Sequence, residues 1–173
     1  MQPALLEIAI LRLCEGLSTS SKPTDSVLVT KWSAKIDDAG LYNIGFADSR
    51  AFVDRLFNLA KKVQSLAPNL DEIGLMMAII LFTPDRAGLV DPLPIRWTQE
   101  SWAEILRMYC ETITHSQSRY AKLLRLLPTI HELSERAKKN MNIRWANMDL
   151  KRVGYINPFI GCINSFTNLL YTS

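Results

Sequence analysis

Residues 73–82 form a run in which every side chain is apolar except that of Gly74. A helix that is apolar on all sides is buried, and about 20 such residues are needed to cross a bilayer. The run is therefore predicted to be a core helix of a helical domain. Asn69, followed three positions later by Glu72, predicts a capping box at its start, and Pro84 is expected to end it.

Four other segments repeat apolar residues at helical spacing. Their stripes are Leu5, Leu6, Ala9 and Leu13; Phe52, Leu56, Leu59, Val63 and Leu66; Trp102, Ile105, Leu106, Tyr109, Cys110 and Ile113; and Tyr120, Leu123, Leu124, Leu127 and Ile130. Thr98 is the expected N-cap of the third helix, and Pro128 is expected to kink or divide the fourth. Together with the core helix, these segments predict five or six helices in an all-α fold.

The remaining segments are less regular. Residues 27–30 are β-branched or apolar and predict a short strand, with 32–36 as the candidate to pair back on it. Residues 37–48 contain two glycines and an asparagine and are predicted to be irregular. No acidic residue follows position 149, and the end of the chain has no helical period. We therefore expect one domain over 1–152 and a disordered or non-homologous tail over 153–173.

Composition excludes several classes of protein. The chain has 173 residues, of which 48% are hydrophobic and 21% charged, as in a globular domain. Its net charge of +3 is scattered along the sequence, which disfavours direct binding to nucleic acid. We expect no membrane span, because no apolar run is long enough, and no signal peptide.

Reactive residues are few and widely spaced. Cys14, Cys110 and Cys162 do not form a disulfide framework or a zinc motif, which indicates a reducing compartment, cytosol or nucleus. His115 and His131 have no acidic or cysteine partner at a fixed spacing, and no glycine-rich phosphate loop is present. We expect no catalytic residue, no metal ligand and no cofactor, so the chain is predicted not to be an enzyme.

Four segments resemble parts of nuclear hormone receptor ligand-binding domains. Residues 69–89, with an acidic start, an apolar run and a Pro-Asp-Arg-Ala-Gly-Leu turn, resemble helix 8 and the loop that follows it. Residues 119–124 resemble the start of the dimerisation helix, and a Leu-Pro pair follows them as in the retinoid X receptors. Residues 7–14 are similar to helix 5 of the retinoic acid receptors, and 51–66 to helix 7. The segments occur in the family's order.

This resemblance implies a partial nuclear receptor ligand-binding-domain helical sandwich with one short β-hairpin. It also implies a ligand-regulated transcription factor in the nucleus that binds a lipophilic small molecule. The implied ligand-binding residues are Leu6, Ala9, Ile10, Leu13, Val29, Thr30, Phe46 and Phe52. The alternative is that these are ordinary core residues. The retinoic acid receptors have an arginine for the ligand's carboxylate where this chain has Gly16, so an acidic retinoid is disfavoured.

The resemblance further implies a dimer surface, with a retinoid X receptor-like domain or a second copy as partner. Its candidate residues are Arg86, Ala121, Lys122, Leu124, Arg125 and His131. Leu126 and His131 stand where related receptors have arginines, so the polar part of the interface differs. Coregulators are expected to bind only a full-length form, because the charged residues that hold them are missing. The alternative function is a ligand-independent interaction fragment that titrates a receptor partner.

Overall fold

The computed structural model describes residues 3–16, 27–29, 35–43, 45–86, 88–113 and 115–147. This part of the chain is mostly helical, which confirms the all-α class, and no helix in it is long and apolar enough to cross a membrane. The predicted tail, 153–173, lies outside the described residues. The elements are α1 (Pro3–Glu15), β1 (Val27–Val29), β2 (Lys35–Asp37), α2 (Asp38–Asn43), α3 (Arg50–Leu66), α4 (Leu70–Leu81), α5 (Leu93–Thr112), α6 (Gln117–Leu124) and α7 (Leu127–Asn147).

Local sequence signals set the ends of α3 and α4. Ser49 caps α3 with its hydroxyl, which accepts a hydrogen bond from the Phe52 backbone N–H at 3.3 Å. The helix ends at Ala67, which has a left-handed backbone (φ 43°). The predicted capping box of α4 is present, because Asn69 Oδ1 accepts from Glu72 N and Glu72 Oε2 accepts from Asn69 N, both at 2.9 Å. Pro128 is the second residue of α7, so it divides the last stripe as predicted.

Two predicted boundaries are wrong. Residues 38–43, predicted to be irregular, form the short helix α2, because the fully buried Leu41 fixes this segment to the core despite the glycine beside it. Helix α5 begins at Leu93 rather than after Thr98. Pro94 fits the first helical turn, and Asp91 Oδ1 accepts a hydrogen bond from the Leu93 N–H at 3.0 Å. Thr98 lies inside the helix and donates its hydroxyl back to the Pro94 carbonyl at 2.9 Å.

Helix α1 lies at the centre of the packing and contacts α3, α4 and α7. Its Leu6, Ile10 and Leu11 are buried in the same apolar cluster as residues of α3, α4 and α7. Helix α1 is therefore an internal helix. The stripe predicted on α5 is only partly buried, because Ile105 and Ile113 are exposed while Leu106 and Cys110 are covered.

The two strands pair antiparallel with Leu28 opposite Ile36. The second strand begins at Lys35, later than the predicted segment 32–36. The residues that connect the two strands lie outside the described part of the chain, so the hairpin itself stays a prediction.

Candidate functional site

A buried carboxylate joins three separate segments of the fold. Glu7 lies on α1, and its side chain is only 5% exposed. Its Oε2 accepts a hydrogen bond from Arg86 Nη2 at 3.0 Å, and its Oε1 accepts one from His131 Nδ1 at 2.7 Å. Arg86 Nη2 also donates to the Ile80 carbonyl at the end of α4 at 2.7 Å. We call Glu7, Arg86 and His131 the Glu7 cluster; it fixes α7 and the turn after α4 against α1.

A second buried carboxylate, Glu72, joins α4 to α6. Its side chain is fully buried, and Arg119 of α6 donates to both of its oxygens, with Nη2 2.7 Å from Oε2. Burial alone would raise the pKa of Glu72. The hydrogen bonds from Arg119 and from the Asn69 backbone outweigh burial and hold the pKa below its ordinary value. The same contact raises the pKa of Arg119. This pair is a permanent ion pair at neutral pH.

The two described cysteines are poor nucleophiles. Burial raises the pKa of the Cys14 thiol to about 12, and burial also raises the pKa of Cys110. Within the described ranges, no group of three histidine, cysteine or acidic side chains is arranged to hold a metal ion. The interactions that these groups make are ion pairs and apolar contacts.

Helix α7 also contacts the first turn of α3. Arg136 donates from Nε to Asp48 Oδ2 at 2.8 Å and from Nη2 to the hydroxyl of Ser49 at 3.0 Å. Burial works against a low pKa for Asp48, but the hydrogen bonds that its carboxylate accepts from Arg136 and from the Ser49 hydroxyl lower the pKa from its ordinary value. The Arg136 guanidinium lies 5.8 Å from the centre of the Phe52 ring, and Phe52 meets Phe46 edge to face at 5.5 Å. Arg136 therefore connects the predicted dimerisation helix to two predicted ligand-binding residues.

Five of the eight predicted ligand-binding residues lie together in the buried apolar cluster, namely Leu6, Ile10, Leu13, Phe46 and Phe52. Ala9 is half-buried on α1. The side chain of Val29 and the whole of Thr30 lie outside the described residues. These predicted ligand-binding residues therefore lie close together, but they pack against one another as ordinary core residues do. Its role in ligand binding stays a prediction.

An open cleft of about 1220 Å³ lies between α1, the end of α4, α5 and α6–α7. None of the described residues predicted to bind ligand lines it. Three of the predicted dimer residues, Arg86, Leu124 and His131, do line it. The cleft is therefore a surface feature beside the predicted dimer surface, separate from the predicted ligand-binding residues.

The predicted dimer residues divide into exposed and covered groups. Ala121, Lys122, Arg125 and His131 are exposed, and Leu124 is half-buried. Arg86 is mostly covered, with its side chain 17% exposed, and its guanidinium binds within the chain. The structure therefore gives Arg86 an intramolecular partner, and its contact with a second subunit stays a prediction.

Sequence reasoning missed both buried carboxylates as organising residues. Glu7 is the only charged residue between positions 3 and 11, inside a helix that is otherwise apolar. A single charge in an apolar helix indicates a buried ion pair, because a charged side chain is buried only when it has a partner. No local pattern names Arg86 and His131 as its partners, since they lie 79 and 124 residues further along the chain.

This geometry defines a mostly helical domain whose helices are linked by buried ion pairs. The family described as "Ligand-binding domain of nuclear hormone receptor" matches residues 22–146. One similar protein is the "Retinoic acid receptor RXR-beta-A" of Danio rerio, 34% identical over 79 residues, which are 45% of this chain and 17% of that protein. Another is the "Nuclear receptor subfamily 2 group F member 6" of Mus musculus, 31% identical over 134 residues, or 74% of this chain and 34% of that protein.

The chain belongs to the nuclear hormone receptor ligand-binding domain family. It spans about a third or less of the length of these two relatives. The resemblance to this family found in the sequence is thereby confirmed; the match covers three of the four segments, and residues 7–14 lie before it.

The lowered pKa of Glu72 predicts a loss of stability in acid. Because the folded chain holds this carboxyl below its ordinary pKa of 4.5, its contribution is complete above about pH 4.5 and is lost as the pH falls through the folded pKa. We expect Glu72→Gln to lower the urea midpoint near pH 7 and to flatten its acid dependence. Glu104→Gln, which removes an exposed ion pair, is the control with a small effect. If the urea midpoints of the wild type and Glu72→Gln changed with pH in parallel, this prediction would be contradicted.

The Glu7 cluster predicts a strongly non-additive pair of substitutions. Arg86→Met leaves a buried carboxylate with one partner fewer, and we expect a loss of about 3 kcal/mol in unfolding free energy. Adding Glu7→Gln removes the charge, so the double variant is expected to be more stable than Arg86→Met alone. Urea unfolding of the wild type, both single variants and the double variant measures the coupling. Purely additive losses would show that the two side chains do not depend on each other.

Proposed function

We propose that this chain forms part of the ligand-binding domain of a ligand-regulated transcription factor of the nucleus. We propose further that α6 and α7 pair it with a second receptor domain. One observation carries the second proposal. Helix α6 and the residues after it bury Leu123 and Leu126 in the core, while their neighbours Lys122 and Arg125 remain exposed.

The exposed side of α6 has the composition of an interface rim. Lys122 and Arg125 supply positive charge beside the half-buried Leu124 and the small Ala121. A partner that presents acidic groups around an apolar contact complements this surface. The buried ion pair of Arg119 with Glu72 anchors the start of the same helix to α4. The surface is therefore held in one orientation, which lowers the entropic cost of binding.

A retinoid X receptor-like domain is the proposed partner, with a second copy of this chain as the other option. The similarity to the protein named "Retinoic acid receptor RXR-beta-A" supports a receptor of that class. The Leu127-Pro128 pair that follows α6 is the sequence feature shared with that class in the resemblance. Coregulator binding is proposed only for a longer form of the protein.

Binding of a lipophilic ligand is the second candidate function. Its support is the convergence of Leu6, Ile10 and Leu13 of α1 with Phe46 and Phe52 in one apolar cluster. The alternative is a ligand-independent fragment that titrates a receptor partner. The close edge-to-face packing of the two phenylalanine rings favours this alternative for the chain as it stands.

The dimer proposal is tested by size-exclusion chromatography with light scattering. The full chain is run alone and mixed with a retinoid X receptor ligand-binding domain, and we expect a one-to-one complex. Reversing both charges with Lys122→Glu and Arg125→Glu should weaken it about tenfold or more, because like charges at an interface repel. The matched control is Lys61→Glu with Lys62→Glu, two exposed lysines on α3. No complex, or equal weakening by both double variants, contradicts the proposal.

The ligand proposal is tested with the neutral lipophilic dye Nile red. Ala9→Phe fills space beside the predicted ligand-binding residues, and we expect it to weaken dye binding about tenfold or more through overpacking. Ala103→Phe is the matched control, since this alanine is also half-buried but lines the cleft. If only Ala103→Phe weakens binding, the dye occupies the cleft and the predicted ligand-binding set is wrong.

A further inference from the structure

His131 connects the buried Glu7 cluster to the surface of the protein. Its side chain is 62% exposed, whereas those of Glu7 and Arg86 are 5% and 17% exposed. It also lines the cleft that lies beside the predicted dimer surface. The imidazole ring therefore has an inner side, which contacts Glu7, and an outer side that a partner can reach.

The contact with Glu7 fixes which ring nitrogen of His131 carries the proton. A carboxylate only accepts hydrogen bonds, and Oε1 of Glu7 lies 2.7 Å from Nδ1 of His131. Nδ1 is therefore the nitrogen that donates. Because Arg86 already balances the charge of Glu7, a neutral imidazole completes the cluster. When Nδ1 of a neutral imidazole holds the proton, Nε2 is a hydrogen-bond acceptor.

This acceptor is available to a partner. The two nitrogens of an imidazole point away from each other, so Nε2 of His131 points away from Glu7 when Nδ1 points towards it. In the part of the chain that the structure describes, no side chain or backbone group donates a hydrogen bond to Nε2. With more than half of the side chain exposed, Nε2 is an acceptor that a second protein can bind.

The charges around His131 favour a cationic donor. The charged residues that line the cleft with it are Glu7, Arg86, Glu135, Lys138, Asp85 and Glu100. The first four form two ion pairs, Glu7 with Arg86 and Glu135 with Lys138, whose charges balance. Asp85 and Glu100 are exposed, and among the described residues they have no cationic partner. The cleft therefore has an excess of negative charge, which attracts a positively charged group.

We propose that His131 is a specificity-determining residue of the dimer surface, where its Nε2 accepts a hydrogen bond from a lysine or arginine of the partner domain. This inference rests on the proposed function and names the chemistry that the partner must present. A partner with an acidic group at this position places an acceptor opposite an acceptor and is disfavoured. Since Lys122 and Arg125 of α6 favour acidic groups, the two parts of the surface together set the orientation of the partner.

Two amide substitutions separate the roles of the two ring nitrogens. His131→Asn keeps an N–H for Glu7 but removes the outer acceptor, whereas His131→Gln carries a carbonyl oxygen to the position of Nε2. Calorimetric titration of the full chain with a retinoid X receptor ligand-binding domain measures the affinity. We expect His131→Asn to weaken the complex about fivefold or more and His131→Gln to recover most of that loss. Urea unfolding of the free chains is the control, and His131→Asn should match the wild type.

The pH dependence supplies a readout that a purely structural role of His131 does not affect. Protonation turns Nε2 from an acceptor into a donor. Lowering the pH from about 8 to about 5 should therefore weaken the wild-type complex more than the His131→Gln complex, because an amide does not titrate there. His131→Arg presents only donors and should weaken the complex at least as much as His131→Asn.

The possible outcomes distinguish this inference from the proposed function. If the wild type forms the complex but His131→Asn and His131→Gln bind equally well, His131 does not recognise a donor of the partner. The inference is then overturned, while the complex itself still supports the proposed function. If the wild type forms no complex, the proposed pairing with this receptor domain is contradicted, and the inference is contradicted with it.

Discussion

The pairing of buried Glu7 with Arg86 and His131 is the interaction on which the arrangement of helices depends. A carboxylate inside an apolar helix is costly unless its charge is neutralised and its lone pairs are bonded. Its two partners come from the turn after α4 and from α7. The apolar faces of α1 can pack in several ways, and the buried carboxylate favours the placement of α7 and of that turn in which its two oxygens are bonded.

Glu72 imposes the same condition at the start of α6. It uses one oxygen to close the capping box of α4 and both oxygens to bind Arg119 of α6. The two buried carboxylates therefore fix α6 at its start and α7 near its start. Between these anchors, Leu123, Leu126 and Ile130 are buried, and their neighbours on the helix surface face outward. The orientation of the exposed surface of α6 and α7 is therefore set by the buried ion pairs of Glu72 and Glu7.

Features encoded by neighbouring residues could be predicted from the sequence, and features encoded by distant ones could not. The capping box of Asn69 and Glu72 and the division at Pro128 rest on contacts within a few residues. Helix α2 forms because Leu41 is buried by the tertiary fold, which no local pattern contains. The predicted ligand-binding residues could not be distinguished from ordinary core residues for a different reason. Phe52 is apolar and lies on the helical stripe of α3 whether its ring contacts a ligand or only Phe46.

Helix α7 is joined to the rest of the fold by contacts of different strength, and the weaker contacts are the ones that break at the lower cost in free energy. Arg136 holds the first turn of α3 through partly exposed contacts with Asp48, Ser49 and the Phe52 ring. Exposed ion pairs and cation–π contacts each contribute about 0.2–1 kcal/mol. Breaking a buried charge pair such as that of Glu7 costs about 3–5 kcal/mol. Losing the Arg136 contacts to the first turn of α3 would therefore leave α7, and the surface it carries, held in place by the Glu7 cluster.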